Sequence, residues 1–179
     1  MRFFSISVDS KKGPLHEDYS CDGTGFAEEG RVNNMRRAVL TPDILDIQIH
    51  QTVRSPIDET FRAMTTPRYV DDWGGGPARI QARVNGKWSL WDGDMFGVVK
   101  EVEYPRKMVH TLRELIWEDN YLDSLVYWDL CEDEYGTRIS LVHTGLPTRK
   151  IREQHHDGWY EYFLGPLKAY LEGRTTKKK

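Results

Sequence analysis

Two histidines and one glutamate carry most of the chemical potential of this 179-residue chain. His143 ends an alternating strand, Thr137-Arg138-Ile139-Ser140-Leu141-Val142-His143-Thr144, and His155 lies in the run His155-His156-Asp157-Gly158-Trp159. Histidine titrates near neutral pH, so a strand-end His143 opposite a helical His155 could orient a carbonyl or shuttle a proton. The competing reading makes both rings hydrogen-bonded members of a packed interior. Glu114 is the acid to follow. It shares strand parity with Met108, His110, Leu112 and Ile116, and is expected near the mouth of any interior space, with burial raising its pKa or a basic partner across the sheet holding it. The bland alternative is an ordinary surface acid.

Other chemistries find little support. His155 and His156 are adjacent on a helix, so their side chains diverge by about 100° and do not share an ion. Cys21 and Cys131 have no metal-ligand spacing and make no disulfide framework. Neither a metal nor a cofactor is expected. Gly74-Gly75-Gly76 lacks the Gly-Lys-Ser/Thr ending of a phosphate loop and reads as a tight reversal beside a buried Trp73. No nucleophile-elbow motif is present, and no catalytic residue is assigned. The acidic run Glu132-Asp133-Glu134 reads as a solvated hairpin tip.

The elements that must position these residues are legible from about Ile44. Leu45, Ile47, Ile49 and Val53 alternate with polar residues, as in a half-buried strand. Ser55 is expected as the N-cap of a helix with Pro56 at its first position and Ile57, Phe61 and Met64 on its apolar face. Thr66-Pro67 opens a second short helix, which the glycines end. Six strand candidates follow, at 79–84, 87–91, 95–104, 107–117, 122–131 and 136–144. The short polar links between them, Asn85-Gly86 the clearest, favour antiparallel hairpins.

A last helix is expected from about Thr148 to Glu172, kinked at Gly165-Pro166. Ile151, His155, Trp159, Phe163, Leu167 and Leu171 recur on it at steps of four. Residues 1–43 are turn-rich after a short strand candidate at Phe3–Val8, and read as an arm or a leader. Residues 175–179 read as a solvated basic tail, leaving 44–174 as the domain.

An α+β architecture follows: a seven-stranded curved antiparallel sheet wrapped around one long helix, with two short helices after the first strand. Its interior would gather six Trp, nine Tyr and six Phe in large part. Cavity candidates are Trp88, Leu90, His110, Glu114, Val126, Trp128, Leu141 and His143 from the sheet. His155, Trp159, Tyr162 and Phe163 are the candidates from the helix, all four expected to face the sheet. Either these enclose a ligand pocket or they pack solid.

Net charge is −3, which gives no general attraction to nucleic acid. No signal design and no apolar run near the roughly 18 residues of a membrane span appear, so the cytoplasm is expected.

The order of elements, with Ser55-Pro56-Ile57-Asp58-Glu59-Thr60-Phe61, Trp73-Gly74-Gly75, Trp91-Asp92-Gly93, Gly97 to Val102, Pro105, Gly136-Thr137-Arg138, His143-Thr144-Gly145-Leu146 and His155-x-x-Gly158-Trp159, resembles the family of activators of heat shock protein 90 ATPase homologues. That family lies within the START-like helix-grip (SRPBCC) group of polyketide cyclases and pollen allergens. The resemblance covers roughly residues 44–172, with no counterpart identified for residues 1–43. His110, Arg113 and Glu114 depart from its usually apolar strand, which implies a more polar interior. It implies a sheet–helix cavity for a small hydrophobic or amphipathic ligand. A chaperone or other protein partner, with a role in stress response, is the alternative it offers; a cyclase or aromatase using pocket histidines is the second.

Overall fold

The computed structural model describes residues 45–177 by backbone and 45–173 by side chain. The strand candidate at Phe3–Val8, the segment 1–43 and the last two residues of the basic tail lie outside them.

Seven strands make one antiparallel sheet in the order β1-β7-β6-β5-β4-β3-β2. They are β1 Ile47–Val53, β2 Arg79–Ile80, β3 Lys87–Leu90, β4 Met95–Glu103, β5 Lys107–Glu114, β6 Ser124–Asp133 and β7 Gly136–Thr144. Sequence neighbours pair through hairpins from β2 to β7, and β1 closes the far edge by pairing with β7 from Ile47 opposite His143 to Val53 opposite Thr137. Two helices, α1 Ile57–Thr65 and α2 Pro67–Trp73, follow β1. The expected α+β helix-grip architecture is therefore present.

Four local expectations are corrected. The strand expected at 79–84 is only two residues long, because the chain already turns from Gln81: the Arg83 N–H donates to Gln81 O at 2.7 Å and the Gly86 N–H to Arg83 O at 2.8 Å. The strand expected to run to Trp117 stops at Glu114, so the parity that would group Ile116 with Glu114 does not extend that far: Met108, His110 and Leu112 are buried while Ile116 is 86% exposed. Pro56, not Ser55, caps α1, since the Pro56 carbonyl accepts the first helical bond from Thr60 N–H at 2.9 Å. Ser55 instead offers its carbonyl to the Thr137 hydroxyl at 2.7 Å. Finally, the carboxy-terminal helix runs on to Lys177, into the expected tail.

That helix begins as α3 Arg149–Gly158, N-capped by Thr148, whose hydroxyl accepts the Ile151 N–H at 3.2 Å. In place of a simple proline kink, residues Trp159–Leu164 form a π-helical segment, and α4 Gly165–Lys177 follows. The wide turn places Pro166, which has no N–H to donate, at the second residue of α4. The Leu164 carbonyl is taken up by the Gln51 side chain at 2.9 Å.

The π segment also explains the spacing of the stripe. In an α-helix each step of four overshoots a full turn by about 40°, so four such steps would carry Leu171 off the face started by His155. The wider π turn makes a step of four fall short instead and takes back much of the drift. All of His155, Trp159, Phe163, Leu167 and Leu171 are buried as a result. Phe163 stacks on Trp128 at 5.1 Å between ring centres and meets Trp73 edge-on at 4.8 Å.

Candidate functional site

Two buried imidazoles are fixed by their neighbours. The His110 Nδ1 lies 3.0 Å from the Thr111 carbonyl and must carry the proton, which leaves Nε2 to accept the Trp128 indole N–H at 3.0 Å. Ser124 donates its hydroxyl to the Leu112 carbonyl at 2.9 Å, so its oxygen accepts from His143 Nε2 at 2.8 Å. The His143 Nδ1 then accepts the Trp159 N–H at 3.2 Å. Both rings are neutral tautomers with every nitrogen paired. Burial pushes the His110 pKa down to about 4; burial and the neighbouring His155 and His110 take His143 to about 2.

His155 differs. It is 4% exposed, edge-on to His143 at 5.0 Å and to Trp117 at 5.6 Å between ring centres. Its Nε2 lies 3.4 Å from Glu114 Oε1, but the direction of approach makes no hydrogen bond, and this nitrogen is buried without a partner. Burial lowers its pKa to about 4. Glu114 is held on its other oxygen, where Oε2 accepts the Trp117 indole N–H at 3.1 Å. Desolvation first, and the charge of Asp94 less, raise the Glu114 pKa against that hydrogen bond. Since burial disfavours charge on both partners, we read the pair as a close contact of two poorly solvated groups rather than a formed ion pair.

Glu114 and His155 lie in a cavity of about 500 Å³ between the β5 end, the turn before β4 and the start of the π segment. Its apolar wall is made by Trp91, Met95, Leu115, Ile116, Trp159 and Phe163. Asp94, Gln154 and Tyr162 add polar groups, and Gly158 completes the lining. Of the twelve residues expected at a cavity, Glu114, His155, Trp159, Tyr162 and Phe163 are brought together here. Tyr162 is 58% exposed, so it stands at the rim instead of facing the sheet. Trp88, Leu90, His110, Val126, Trp128, Leu141 and His143 are buried in the hydrophobic interior and are not part of this lining.

Sequence reasoning missed Trp91, Asp94, Met95, Leu115, Ile116, Gln154 and Gly158. A signal existed for two of them: Gln154, Gly158 and Tyr162 form a second row at steps of four, one residue before the buried stripe. Trp91 was hidden inside an expected strand. It leaves β3 at φ 48°, followed by Asp92 at φ 56°, an uncommon conformation for such a side chain. The glycine turn holds it there. The Trp91 N–H donates to Gly75 O at 3.1 Å, its indole N–H to Gly74 O at 2.9 Å, and the Asp92 N–H to Pro77 O at 3.1 Å. The glycine run thus braces a pocket wall.

Leu115 and Ile116 belong to the β5–β6 loop, which Arg113 ties down. Its guanidinium donates to the carbonyls of Tyr121 at 2.7 Å and Glu118 at 2.9 Å and lies 3.3 Å from Asp123. The strand polarity noted in the sequence therefore has three uses: His110 in the interior, Glu114 in the pocket and Arg113 as a loop clasp. Among the described residues, no group of three or more His, Cys, Asp or Glu is placed to hold a metal ion, and no helix is long and apolar enough to cross a membrane.

Comparison with known proteins agrees with this architecture. The chain is 23% identical over 168 residues to uncharacterized protein C1711.08 of Schizosaccharomyces pombe, covering 94% of this chain and 49% of that one. That match takes in part of residues 1–43. It is 23% identical over 123 residues to human activator of 90 kDa heat shock protein ATPase homolog 1, covering 68% of this chain and 36% of that one. The chain thus spans about half or less of the length of these curated relatives.

Among solved structures, PFC0360w, an HSP90 activator from Plasmodium falciparum, superposes with a TM-score of 0.64 at 25% identity, over 70% of this chain and 95% of that one. CalU16 from Micromonospora echinospora superposes at 0.60 with 24% identity, over 74% and 79%. The profile of the Activator of Hsp90 ATPase homolog 1-like proteins matches residues 54–172. With that match spanning most of the sheet and the gripped helix, the chain belongs to the family of Activator of Hsp90 ATPase homolog 1-like proteins, in the START-like superfamily.

Proposed function

We propose that this domain binds one small hydrophobic or amphipathic molecule in the cavity beside Glu114 and His155, with no catalysis assigned. The observation that carries the reading is an apolar cavity of about 500 Å³ whose lining includes Leu115 at 68% exposure and Ile116 at 86%. Apolar side chains left in water at the edge of a concave apolar space gain from an occupant that covers them. A partner protein could cover the same edge, and the names of the human and Plasmodium relatives favour a chaperone as that partner. The cavity behind the edge favours the small molecule. The cytoplasm remains the compartment of this reading.

The test is native mass spectrometry of protein purified from its own host, joined to thermal shift across a lipid and polyketide panel. The reading expects a co-purifying small molecule, or a panel member that raises the melting temperature. Ile116→Asp should weaken that binding while changing ligand-free stability by less than about 0.5 kcal/mol, because the side chain is exposed. Repeated recovery of empty protein with no shift from any compound would end the small-molecule reading.

A further inference from the structure

Resting on that reading of the cavity, we propose that the polar end of its ligand is a protonated amine, seated between Glu114 Oε1 and His155 Nε2. The two atoms are 3.4 Å apart, do not hydrogen-bond to each other, and both belong to residues lining the cavity. The His155 side chain is 3% exposed, so solvent does not satisfy its nitrogen. We place the proton of this neutral ring on Nδ1, so that Nε2 is an acceptor beside the acceptor oxygen of the carboxylate.

Two acceptors this close suit a group that only donates. An ammonium brings three N–H donors, enough to bond both at ordinary distances of about 2.8–3.0 Å once the ring turns to uncover the buried Nε2. A hydroxyl has a single donor, and a carboxylate has none.

The charges of the cavity point the same way. Asp94 and Glu114 line it, and no Lys or Arg does so among the described residues. His155 and the His143 ring behind it are held neutral by burial, so neither opposes a cation. A carboxylate ligand would meet acidic groups with no compensating base. Trp91, Trp159 and Tyr162 belong to the same lining, and aromatic rings attract cations through their quadrupole. Burial already disfavours charge on Glu114, and a bound cation would return the carboxylate to its ionised form.

Three probes with one tail separate head-group choice from pocket binding: decylamine, decanol and decanoate, titrated calorimetrically into the full chain at pH 7.5 below their micelle concentrations. Decylamine should bind at least about tenfold more tightly than either of the others. In Glu114→Gln, whose amide can still accept from Trp117, that preference should collapse towards equality. Decanol or decanoate binding as well as decylamine overturns the inference while leaving the pocket in place. So does an undiminished amine preference in Glu114→Gln. Binding by none of the three removes the pocket reading and this inference together.

Discussion

Replacing Trp128 by alanine is expected to unfold or nearly unfold the domain. Trp128 is 2% exposed, stacks on Phe163 at 5.1 Å and meets Trp159 edge-on at 5.4 Å between ring centres. Truncating a buried Trp costs about 3–5 kcal/mol through lost burial and the cavity left behind. The change also strips His110 Nε2 of its donor deep in the interior, adding about 1–3 kcal/mol for an unpaired buried group. Together these approach the roughly 5–15 kcal/mol that holds a typical domain folded. Trp128→Phe keeps the ring contacts and loses only the hydrogen bond and some volume, so it should remain folded with a smaller loss. Urea unfolding followed by circular dichroism distinguishes the two. An alanine variant within about 1 kcal/mol of the parent would contradict this role for the ring.

The second large effect is acid sensitivity. Histidine in an unfolded chain titrates near 6.5, whereas His110 and His155 are held to about 4 and His143 lower still. Between those values the unfolded chain binds more protons than the folded one, so stability rises with pH there. It is fully present above about pH 6.5 and is lost as pH falls towards the folded values. Each ring kept neutral from 6.5 down to about 4 carries a pH-dependent difference of about 3 kcal/mol.

Glu114 works in the opposite sense, because its raised pKa favours the protonated folded state as pH falls, but one half-buried carboxyl does not outweigh three buried imidazoles. The urea midpoint should fall steadily from pH 7 to 5. A midpoint flat or rising over that range would contradict the neutral, buried assignment of the histidines.

The parts of this fold legible in the sequence were those with strong periodicity or turn chemistry. Ile47, Ile49 and Val53 alternate on β1, and Pro67 and Gly74 bracket α2, so these elements stand where expected. The stripe from His155 to Leu171 was equally plain. What periodicity does not convey is where a strand ends and what a loop then covers. Glu114 is the last strand residue, and Leu115 and Ile116 leave the sheet into a loop whose Glu118 and Tyr121 carbonyls accept from the Arg113 guanidinium.

The π segment was equally hidden, since its cause lies in the joint demands of Pro166 and an apolar stripe that must stay on one face. The candidate site was half legible for the same reason. Residues on the gripped helix were found from their spacing. Those supplied by Trp91 and the β5–β6 loop depend on long-range hydrogen bonds that local patterns do not record.

His155 decides whether this cavity is a site or merely a packing defect. A polar atom kept in the interior only for structure is as a rule hydrogen-bonded, as those of His110 and His143 are; an unpaired nitrogen on a residue that lines a cavity suits a ligand. The direct measurement is decylamine titration of the parent and of His155→Leu, beside their ligand-free urea midpoints at pH 7.5. Leucine removes an unsatisfied group from an apolar surrounding, so the variant should be as stable as the parent or about 1 kcal/mol more so. It should also bind decylamine at least about tenfold more weakly. A variant that loses more than about 2 kcal/mol of stability yet binds decylamine as the parent does would make His155 a structural residue and contradict the account.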